Sequence, residues 1–361
     1  MNATQSHLEF MSAALLLAEK GRYTVSPNPM VGCLIVKDGK IIGEGYHHQP
    51  GEPHAEIYAL QQAGNDAQGA TMYVTLEPCC HTGRTPPCTD ALIQSGIRDI
   101  YIACVDPNPL VAGKGMQTLE NAGIQVHIGL CEDKARQLNE IFFHYISHRR
   151  PFVIAKWAMS LDGKTITHQD DSPVISSHDA KVHAHDIRAQ VDAVLIGANT
   201  AKQDDPLLTV RFTRLHKCKQ PVRIILSSRG ELPSHLRLLN LPLATQTIVA
   251  TTHNITNEKQ KMLEDKNITV IRLPADHLGH ISLPALLDEL GKLQIASILV
   301  EGGRQVHDSF IQDNLVNQYH VYLSPVIISQ LSQKQTVHPV QITHVKQDLF
   351  IAATNKGDRH V

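Results

Sequence analysis

The stretch Gly51-Glu52-Pro53-His54-Ala55-Glu56, followed by Glu77-Pro78-Cys79 and by Pro87-Cys88, decides the fold of the first part of this chain. One histidine and two cysteines can fill three corners of a tetrahedral Zn²⁺ site and leave the fourth corner open for water, as in catalytic zinc sites. Glu56 can reach that water without binding the metal. We therefore predict that His54, Cys79 and Cys88 bind one Zn²⁺ ion and that Glu56 carries protons.

The two cysteine ligands are separated by eight residues. The pattern resembles the zinc nucleobase deaminases, which carry His-x-Glu and then Pro-Cys-x-x-Cys. The longer gap needs a loop, and Gly83 and Pro86-Pro87 supply turn-forming residues. Cys80 adjoins a predicted ligand, and adjacent side chains rarely converge on one ion, so we interpret Cys80 as a packing residue. The alternatives are a structural zinc site or no metal, but a structural site would want a fourth ligand and has no use for Glu56.

The composition is typical of a soluble globular protein. A chain of 361 residues with 42% hydrophobic residues is long enough for two domains. The net charge of −2 and the aromatic content of 4% argue against a nucleic-acid partner, which would need a basic field and stacking side chains. Seven cysteines in no regular framework fit a reducing compartment, and the apolar runs are too short for a membrane span. We expect a cytoplasmic homo-oligomer without a signal peptide.

Helix and strand patterns alternate through roughly the first 145 residues, which predicts an α/β sandwich. Predicted helices begin at His54 and at Cys88, and a predicted strand over 71–76 leads to Cys79. One continuous helix is predicted over 132–145. The segment Ser147-His-Arg-Arg-Pro151 then breaks the pattern. We therefore predict one domain at 1–148 and a second at 149–361.

The second half again alternates strands and helices, which predicts a largely parallel sheet with ligands at the carboxyl ends of its strands. Three strand ends qualify: Lys156 to Gly163, Gly197 to Arg211, and Val300-Glu301-Gly302-Gly303. Glycines before a helix let backbone N–H groups approach a phosphate, although a Gly-Gly turn is more often a tight connection. No G-x-G-x-x-G stretch is present, so the classical dinucleotide fingerprint is missing.

With both halves in view, the chain resembles the bifunctional riboflavin biosynthesis family. That family joins a diaminohydroxyphosphoribosylaminopyrimidine deaminase to a 5-amino-6-(5-phosphoribosylamino)uracil reductase. Matching stretches of the first half are Pro27-Asn28-Pro29-Met30-Val31-Gly32, the zinc motifs, Gly83-Arg84-Thr85-Pro86-Pro87-Cys88 and Asp106-Pro107-Asn108-Pro109. Those of the second half are Lys156 with Ser160-Leu-Asp-Gly163, Arg188-Ala-Gln, Asp204-Asp205-Pro206-Leu-Leu-Thr-Val-Arg211 and Glu301-Gly302-Gly303. The resemblance runs from about residue 7 to about residue 325.

The resemblance implies a cytidine-deaminase-like α/β/α sandwich followed by a dihydrofolate-reductase-like α/β domain. The first domain would use Zn²⁺ to replace the pyrimidine 2-amino group of 2,5-diamino-6-(5-phosphoribosylamino)pyrimidin-4(3H)-one with oxygen, with Asn28 holding the base. The second would use NADPH to convert the ribosyl group to ribityl phosphate. The expected partner is therefore a small phosphorylated pyrimidine, with no nucleic acid and no membrane.

The resemblance also implies the binding residues of the reductase. Substrate contacts are implied for Ser172, Arg188, Leu208, Arg211 and Glu301. Dinucleotide contacts are implied for Ala158, Val174, Thr200, Asp204, Gly303, Arg304, Gln305, Val306, His307, Asp308 and Ser309. Ser228 follows the predicted strand 222–226, and we add it to the cofactor site because a 2′-phosphate needs polar groups near the adenosine ribose.

The sequence departs from the family at three places. Val174 stands where an aromatic residue is frequent, Asn317-Gln318 where an acidic pair is common, and 327–335 replaces a glycine-containing loop. Two alternatives stay open at this point: a deaminase with a structural or degenerate second domain, and a nucleic-acid base deaminase. The glycines and arginines of the reductase motifs are present, so we expect an active reductase.

Overall fold

The computed structural model describes residues 3–82, 86–165, 177–211, 218–240, 246–328, 334–336, 338–345 and 348–354. The chain forms two compact units. The first comprises Met1–Phe152, Lys217–Lys219 and Leu287–Ser297, and the second comprises Val153–His216, Gln220–Leu286 and Ile298–Val361. The domain limits 1–148 and 149–361 stay a prediction of the sequence.

A five-stranded sheet lies within the first unit. Its strands are β1 (Gly32–Lys37), β2 (Lys40–Tyr46), β3 (Thr71–Val74), β4 (Asp99–Ile102) and β5 (Gln125–Ile128), in the order β2-β1-β3-β4-β5. β1 is antiparallel to β2 and β3, whereas β3, β4 and β5 are parallel. The helices are α1 (Ala3–Ala18), α2 (Ala55–Ala63), α3 (Cys88–Ser95), α4 (Lys114–Asn121), α5 (Glu132–Leu138) and α6 (Glu140–His148), with 3₁₀ turns at Glu19–Gly21 and Gly64–Ala67.

Two hydrophobic cores, one on each face of this sheet, make the unit an α/β/α sandwich. Alternate residues of a strand point to opposite faces. Cys33 and Ile35 therefore pack with Ala55 and Ala59 of α2, whereas Leu34 and Val36 pack with residues of α1 and α6. The first face carries α2 and α3, whose first turns lie at the zinc motifs.

Two local predictions for this unit were wrong or incomplete. The continuous helix expected over 132–145 is two helices, because Asn139 has φ of −109° and ψ of 22°, outside the helical region. The short strand β5 was not predicted, since Gln125 to Ile128 lacks a run of apolar residues. The two helix starts predicted at the zinc motifs are confirmed, since His54 is the N-cap of α2 and Cys88 is the first residue of α3.

A seven-stranded sheet follows. Its strands are β6 (Phe152–Ser160), β7 (Ala193–Gly197), β8 (Val222–Leu226), β9 (Thr247–Thr252), β10 (Thr269–Leu273), β11 (Ser297–Gly302) and β12 (Gln318–Ser324), in the order β10-β9-β8-β7-β11-β6-β12. The pairs β10–β9, β9–β8, β8–β7, β7–β11 and β6–β12 are parallel, as the alternation predicted. The helices are α7 (His178–Gln190), α8 (Ala198–Asp204), α9 (Asn257–Glu264), α10 (Leu283–Lys292) and α11 (Arg304–Gln312), with a 3₁₀ turn at Arg237–Leu239.

Two antiparallel pairs complete the described structure: β13 (Val326–Ile328) with β14 (Lys334–Thr336), and β15 (His338–Val345) with β16 (Asp348–Thr354). Helix α8 and strand β12 were not predicted. Among the helices of the described ranges, none is long and apolar enough to cross a membrane. The parallel strands β7, β8 and β11 end at Gly197, Leu226 and Gly302, so these three residues lie at one edge of the sheet.

Candidate active sites

Three separate segments bring the predicted zinc ligands together. His54 immediately precedes α2, Cys79 follows β3, and Cys88 is the first residue of α3. His54 Nδ1 lies 3.2 Å from Cys88 Sγ and 3.5 Å from Cys79 Sγ, and the three ligand atoms all lie within 4.8 Å of one another. Zinc bond lengths of about 2.3 Å to sulfur and about 2.0 Å to nitrogen place such atoms roughly 3.6 Å apart in a tetrahedron. The donor set therefore fits one Zn²⁺ ion.

Metal binding requires thiolates, and of the two cysteines in this cluster Cys79 is the more readily deprotonated, because its hydrogen bond with Cys88 lowers the pKa of Cys79 and raises that of Cys88. A hydrogen bond with the Cys88 thiol, and then one with His54, lower the pKa of Cys79 to about 4. The backbone N–H of Cys88 also donates to Cys79 Sγ at 3.4 Å. Cys80, in contrast, directs its Sγ to the carbonyl oxygen of Leu110 at 3.8 Å and lies outside the cluster.

Glu56 lies in the first turn of α2 and is 3% exposed. Burial raises the pKa of its carboxyl group above the usual range. Within the described part of the chain, its Oε2 atom is buried and has no hydrogen-bond partner. A buried acceptor of this kind is costly unless a ligand or water completes it. The carboxyl group can therefore take up and release a proton beside the ligand cluster.

No role was predicted for His47, which is 3% exposed and directly follows β2. Its Nε2 atom lies 3.0 Å from Asn28 Nδ2, and its Nδ1 atom lies 3.3 Å from the carbonyl oxygen of Pro53. Its ring is also 5.5 Å from the ring of His54, edge to face. His47 thus connects Asn28, the predicted base-binding residue, to the segment that carries the zinc ligand. Burial lowers the pKa of His47, which favours the neutral imidazole.

Glu77, from the Glu-Pro-Cys stretch, is a second site residue whose role the sequence did not define. Its buried carboxylate accepts hydrogen bonds from the backbone N–H groups of Asp106 and Gly113 at 3.2 and 3.0 Å. It also accepts from Gly115 and Met116 at 3.0 and 3.3 Å. Glu77 therefore joins the loop after β4 and the start of α4 to the segment Glu77-Pro78, which directly precedes Cys79.

In the second unit, the predicted substrate residues Arg188 and Glu301 bind each other. Arg188 donates from Nε and Nη2 to the two carboxylate oxygens of Glu301 at 2.9 and 2.8 Å, and from Nη1 to the carbonyl oxygen of Thr209 at 2.7 Å. Lys156 Nζ lies 3.9 Å from Glu301. Burial alone would raise the pKa of Glu301, but Lys156 and Arg188 outweigh it and hold that pKa below the usual value. The carboxylate is therefore charged.

Arg211 lies near further cationic groups. Its backbone N–H donates to His185 Nδ1 at 3.1 Å, and its guanidinium donates to Thr209 Oγ1 at 3.1 Å. Burial, and then the charges of Arg188 and Arg237, lower the pKa of Arg211. Like charges held together in this way favour an anion, and arginine suits a phosphate group. Leu208, another predicted contact, is buried with a positive φ of 52° and shapes the same loop.

A tight turn joins β11 to α11 and contains the predicted dinucleotide residues. Gly303 has φ of +83°, a conformation that favours glycine. A Cβ atom on Gly302 would lie 2.9 Å from Thr200 Cγ2, so the turn packs directly on Thr200 of α8. The start of α11 follows the turn, and a helix start offers free N–H groups to a phosphate. Thr200 and Gly303 are thus brought together, and the turn fits a pyrophosphate.

Several other predicted cofactor residues make contacts within the protein. Arg304 and Asp308 form an exposed pair at 3.7 Å, and Ser309 Oγ donates to the Gln305 carbonyl at 2.9 Å. His307 is turned inward, with Nε2 3.1 Å from the carbonyl oxygen of Val300. The remaining described positions are Ala158 on β6, Asp204 at the end of α8, Ser228 after β8, and Val306, whose Cγ2 lies 3.5 Å from an added Cβ on Gly303. Ser172 and Val174 lie outside the described residues, as do 83–85 of the cysteine loop.

Two family models match the chain. The cytidine and deoxycytidylate deaminase zinc-binding region matches residues 4–104, and the RibD C-terminal domain matches residues 151–355. The riboflavin biosynthesis protein RibD of Aquifex aeolicus (strain VF5) is 47% identical over 321 residues, which cover 89% of this chain and 87% of that protein. The protein of the same description from Escherichia coli (strain K12) is 41% identical over 329 residues, with 88% of each chain covered.

Solved structures agree with these matches over nearly the whole chain. Form 1 of Acinetobacter baumannii RibD superposes with a TM-score of 0.83 at 38% identity, covering 97% of this chain and 99% of that one. A Thermotoga maritima diaminohydroxyphosphoribosylaminopyrimidine deaminase/5-amino-6-(5-phosphoribosylamino)uracil reductase superposes with a TM-score of 0.77 at 34% identity, covering 96% and 98%. The cytidine-deaminase-type and reductase folds expected from the sequence are thereby confirmed.

Proposed function

Since this chain belongs to the RibD family of bifunctional riboflavin biosynthesis enzymes, we propose which of its residues carry out the two reactions. The chain is a zinc-dependent deaminase and an NADPH-dependent reductase. Its deaminase acts on 2,5-diamino-6-(5-phosphoribosylamino)pyrimidin-4(3H)-one, and its reductase then converts the ribosyl side chain to ribityl phosphate. The deaminase assignment rests on one observation: His54, Cys79 and Cys88 form a cluster near Glu56, whose buried Oε2 atom has no hydrogen-bond partner among the described residues.

In the deaminase, His54, Cys79 and Cys88 hold the zinc. When bound, this ion supplies a Lewis acid that lowers the pKa of water enough for attack at neutral pH. Glu56 accepts a proton from the attacking water and delivers it to the departing amino group, which leaves as ammonia. The raised pKa of Glu56 suits both steps, because one carboxyl group must act as base and then as acid. Asn28 holds the pyrimidine, and His47 holds Asn28.

In the reductase, Arg188, Arg211 and Glu301 bind the sugar phosphate. The lowered pKa of Arg211 beside other cations supports an anion site at this position. Thr200, Asp204 and the turn at Gly303 hold NADPH, which supplies the hydride. The turn lies at the sheet edge where parallel strands end, and the N–H groups at the start of α11 would hold the pyrophosphate.

The discriminating experiment measures both half-reactions and the zinc content of purified full-length variants. Glu56→Gln is expected to keep one zinc per chain and full reduction, while deamination falls by roughly 10²–10⁴-fold, the usual worth of a positioned proton carrier. Asp204→Ala is the reciprocal control and should lose reduction alone. Near-normal ammonia release by Glu56→Gln would remove Glu56 from the mechanism. Wild-type protein that deaminates but neither binds NADPH nor reduces would favour a degenerate second domain.

The substrate of RibD relatives is a phosphorylated pyrimidine, and a small molecule of this kind suits the residues described above. A nucleic-acid substrate is disfavoured by the net charge of −2 and the aromatic content of 4%. Cytoplasmic location and a homo-oligomeric state stay predictions of the sequence.

A further inference from the structure

Asn139 makes a two-point contact with a segment 109 residues away in the sequence. The Met30 backbone N–H donates to Asn139 Oδ1 at 2.8 Å, and Asn139 Nδ2 donates to the Met30 carbonyl oxygen at 2.8 Å. The amide side chain therefore pairs with the Met30 backbone as a neighbouring strand would. Asn139 is 2% exposed, so water cannot substitute for either bond.

The side chain of Asn139 does not cap the helix that it precedes. Asparagine at the start of a helix ordinarily accepts a hydrogen bond from the first turn. Asn139 is the N-cap residue of α6, yet among the described contacts its side chain makes no capping hydrogen bond. Its backbone leaves the helical region and separates α5 from α6. The break thus directs the amide away from the helix axis and towards Met30.

The segment that Asn139 holds is the one that carries Asn28. Its backbone is bonded at several points: Asn28 N–H donates to the Val25 carbonyl at 2.8 Å, and Val31 carbonyl accepts from His47 N–H at 2.9 Å. Between these two bonds, the side chain of Asn139 binds both the backbone N–H and the backbone carbonyl of Met30. The Asn28 side chain then reaches His47 at 3.0 Å. Loss of the Asn139 side chain would remove both of its bonds to Met30, which lies two residues after Asn28.

We propose that Asn139 is a positioning residue of the deaminase, which fixes the segment from Pro27 to Val31 so that Asn28 faces the pyrimidine. The inference rests on the proposed role of Asn28. It assigns a function to a residue outside the zinc motifs and accounts for the helix break that the sequence did not predict. The residue acts through Met30 and Asn28 and contacts neither metal nor substrate.

The test compares Asn139→Ala and Asn139→Asp with wild type, using full-length zinc-loaded protein. Asn139→Asp keeps the shape but turns a carboxylate oxygen towards the Met30 carbonyl. Asn121→Asp on the exposed end of α4 is the matched control, because it makes the same chemical change away from the site. Steady-state deamination, reduction and zinc content are measured for each, together with Asn28→Ala and the double variant Asn28→Ala/Asn139→Ala.

A positioning role predicts a KM for deamination raised by roughly 10-fold in both Asn139 variants, with zinc content and reduction unchanged, since one substrate hydrogen bond is worth about that factor. The double variant should be within roughly 2-fold of Asn28→Ala alone, because the two residues act on one contact. Asn121→Asp should match wild type.

Three different results would overturn the inference. If Asn28→Ala raises KM and Asn139→Ala does not, the role of Asn28 stands and that of Asn139 fails. If Asn28→Ala leaves KM unchanged, both roles fail. A fall in kcat that only parallels lost zinc, with unchanged KM, would likewise make Asn139 a purely structural residue. If Asn139→Asp fails to fold, the KM of Asn139→Ala tests the inference in the same way.

Discussion

Replacing Glu301 with glutamine should destabilise the second unit strongly. The side chains of Arg188 and Glu301 are each only 9% exposed and share two hydrogen bonds of 2.9 and 2.8 Å. Removing one partner of a buried pair leaves the other charge uncompensated and typically costs 3–5 kcal/mol. Arg188 keeps its bond to the Thr209 carbonyl, so we expect a loss near the lower end, about 3 kcal/mol.

The single tryptophan of the chain provides a selective probe of this loss. Trp157 lies on β6 in the second unit, 5.6 Å from the ring of His307. Its fluorescence during urea unfolding therefore reports on the reductase. A loss of about 3 kcal/mol, with an m-value near 3 kcal/mol/M for a unit of this size, should lower the urea midpoint by about 1 M. Deamination in native buffer should be unaffected.

A double-mutant cycle and a surface control complete the design. Arg188→Met/Glu301→Leu should recover part of the stability lost when either residue alone is replaced, because neither charge of the Arg188–Glu301 pair is then left without the other, although reduction stays lost. Glu231→Gln removes an exposed partner of Lys259 at 3.0 Å, and because solvent screens such a pair the urea midpoint should match that of wild type. If the free energy of unfolding of Glu301→Gln lies within about 0.5 kcal/mol of the wild-type value, which is roughly the error of additivity, then the Arg188–Glu301 pair does not stabilise the second unit and the reasoning is wrong.

Three shorter predictions concern zinc, pH and cofactor choice. Cys88→Ser should lose zinc and Cys80→Ser should keep it, and metal analysis showing the reverse would refute the ligand set. Burial, with nearby arginines, lowers the pKa of His185 to about 4, so between about pH 6.5 and 4 the unfolded chain binds a proton that the folded chain does not. As the pH is lowered through this range, the free energy of unfolding followed by Trp157 fluorescence should decrease by at most about 1.4 kcal/mol per pH unit. His185→Gln should reduce this dependence on pH. Arg229 follows Ser228 directly after β8, and we expect it to contact the same 2′-phosphate. Arg229→Ala should therefore weaken NADPH binding more than NADH binding in titrations, and equal losses would remove Arg229 from this site.

The sequence predicted elements well where local pattern and function coincide. Helix α2 begins after His54 because the histidine is extended, with φ of −76° and ψ of 164°, and Gly64 ends the helix with a positive φ. The approach of His54, Cys79 and Cys88 to one another could be predicted because their residue types and spacing suit the coordination of one ion. A helix start and end depend on residues close together in the sequence, and a metal cluster depends on an unusual combination of side chains. Both can therefore be recognised without knowledge of the fold.

The features that the sequence did not predict depend on contacts between distant residues. His47 was one of 22 histidines, and nothing near it in the chain marks it as the partner of Asn28. The helix break at Asn139 follows from bonds to a residue 109 positions away. Apolar spacing continues through the break, so a pattern of period 3.6 could not detect it. Polar side chains that join separate segments are visible only once the fold is known.

Three glutamates show how the same side chain serves different tasks through its surroundings. Glu56 is buried with an unpaired oxygen among the described residues, and burial raises its pKa, so it can exchange protons. Glu301 is held by Arg188 and Lys156, which keep its pKa low, so it stays charged and can orient a substrate. Glu77 receives four backbone N–H groups and fixes a loop. The surroundings of each glutamate therefore determine whether it can exchange protons, stay charged to orient a substrate, or hold a loop in place. Replacing each glutamate with glutamine should accordingly impair proton transfer at Glu56, stability at Glu301, and loop geometry at Glu77.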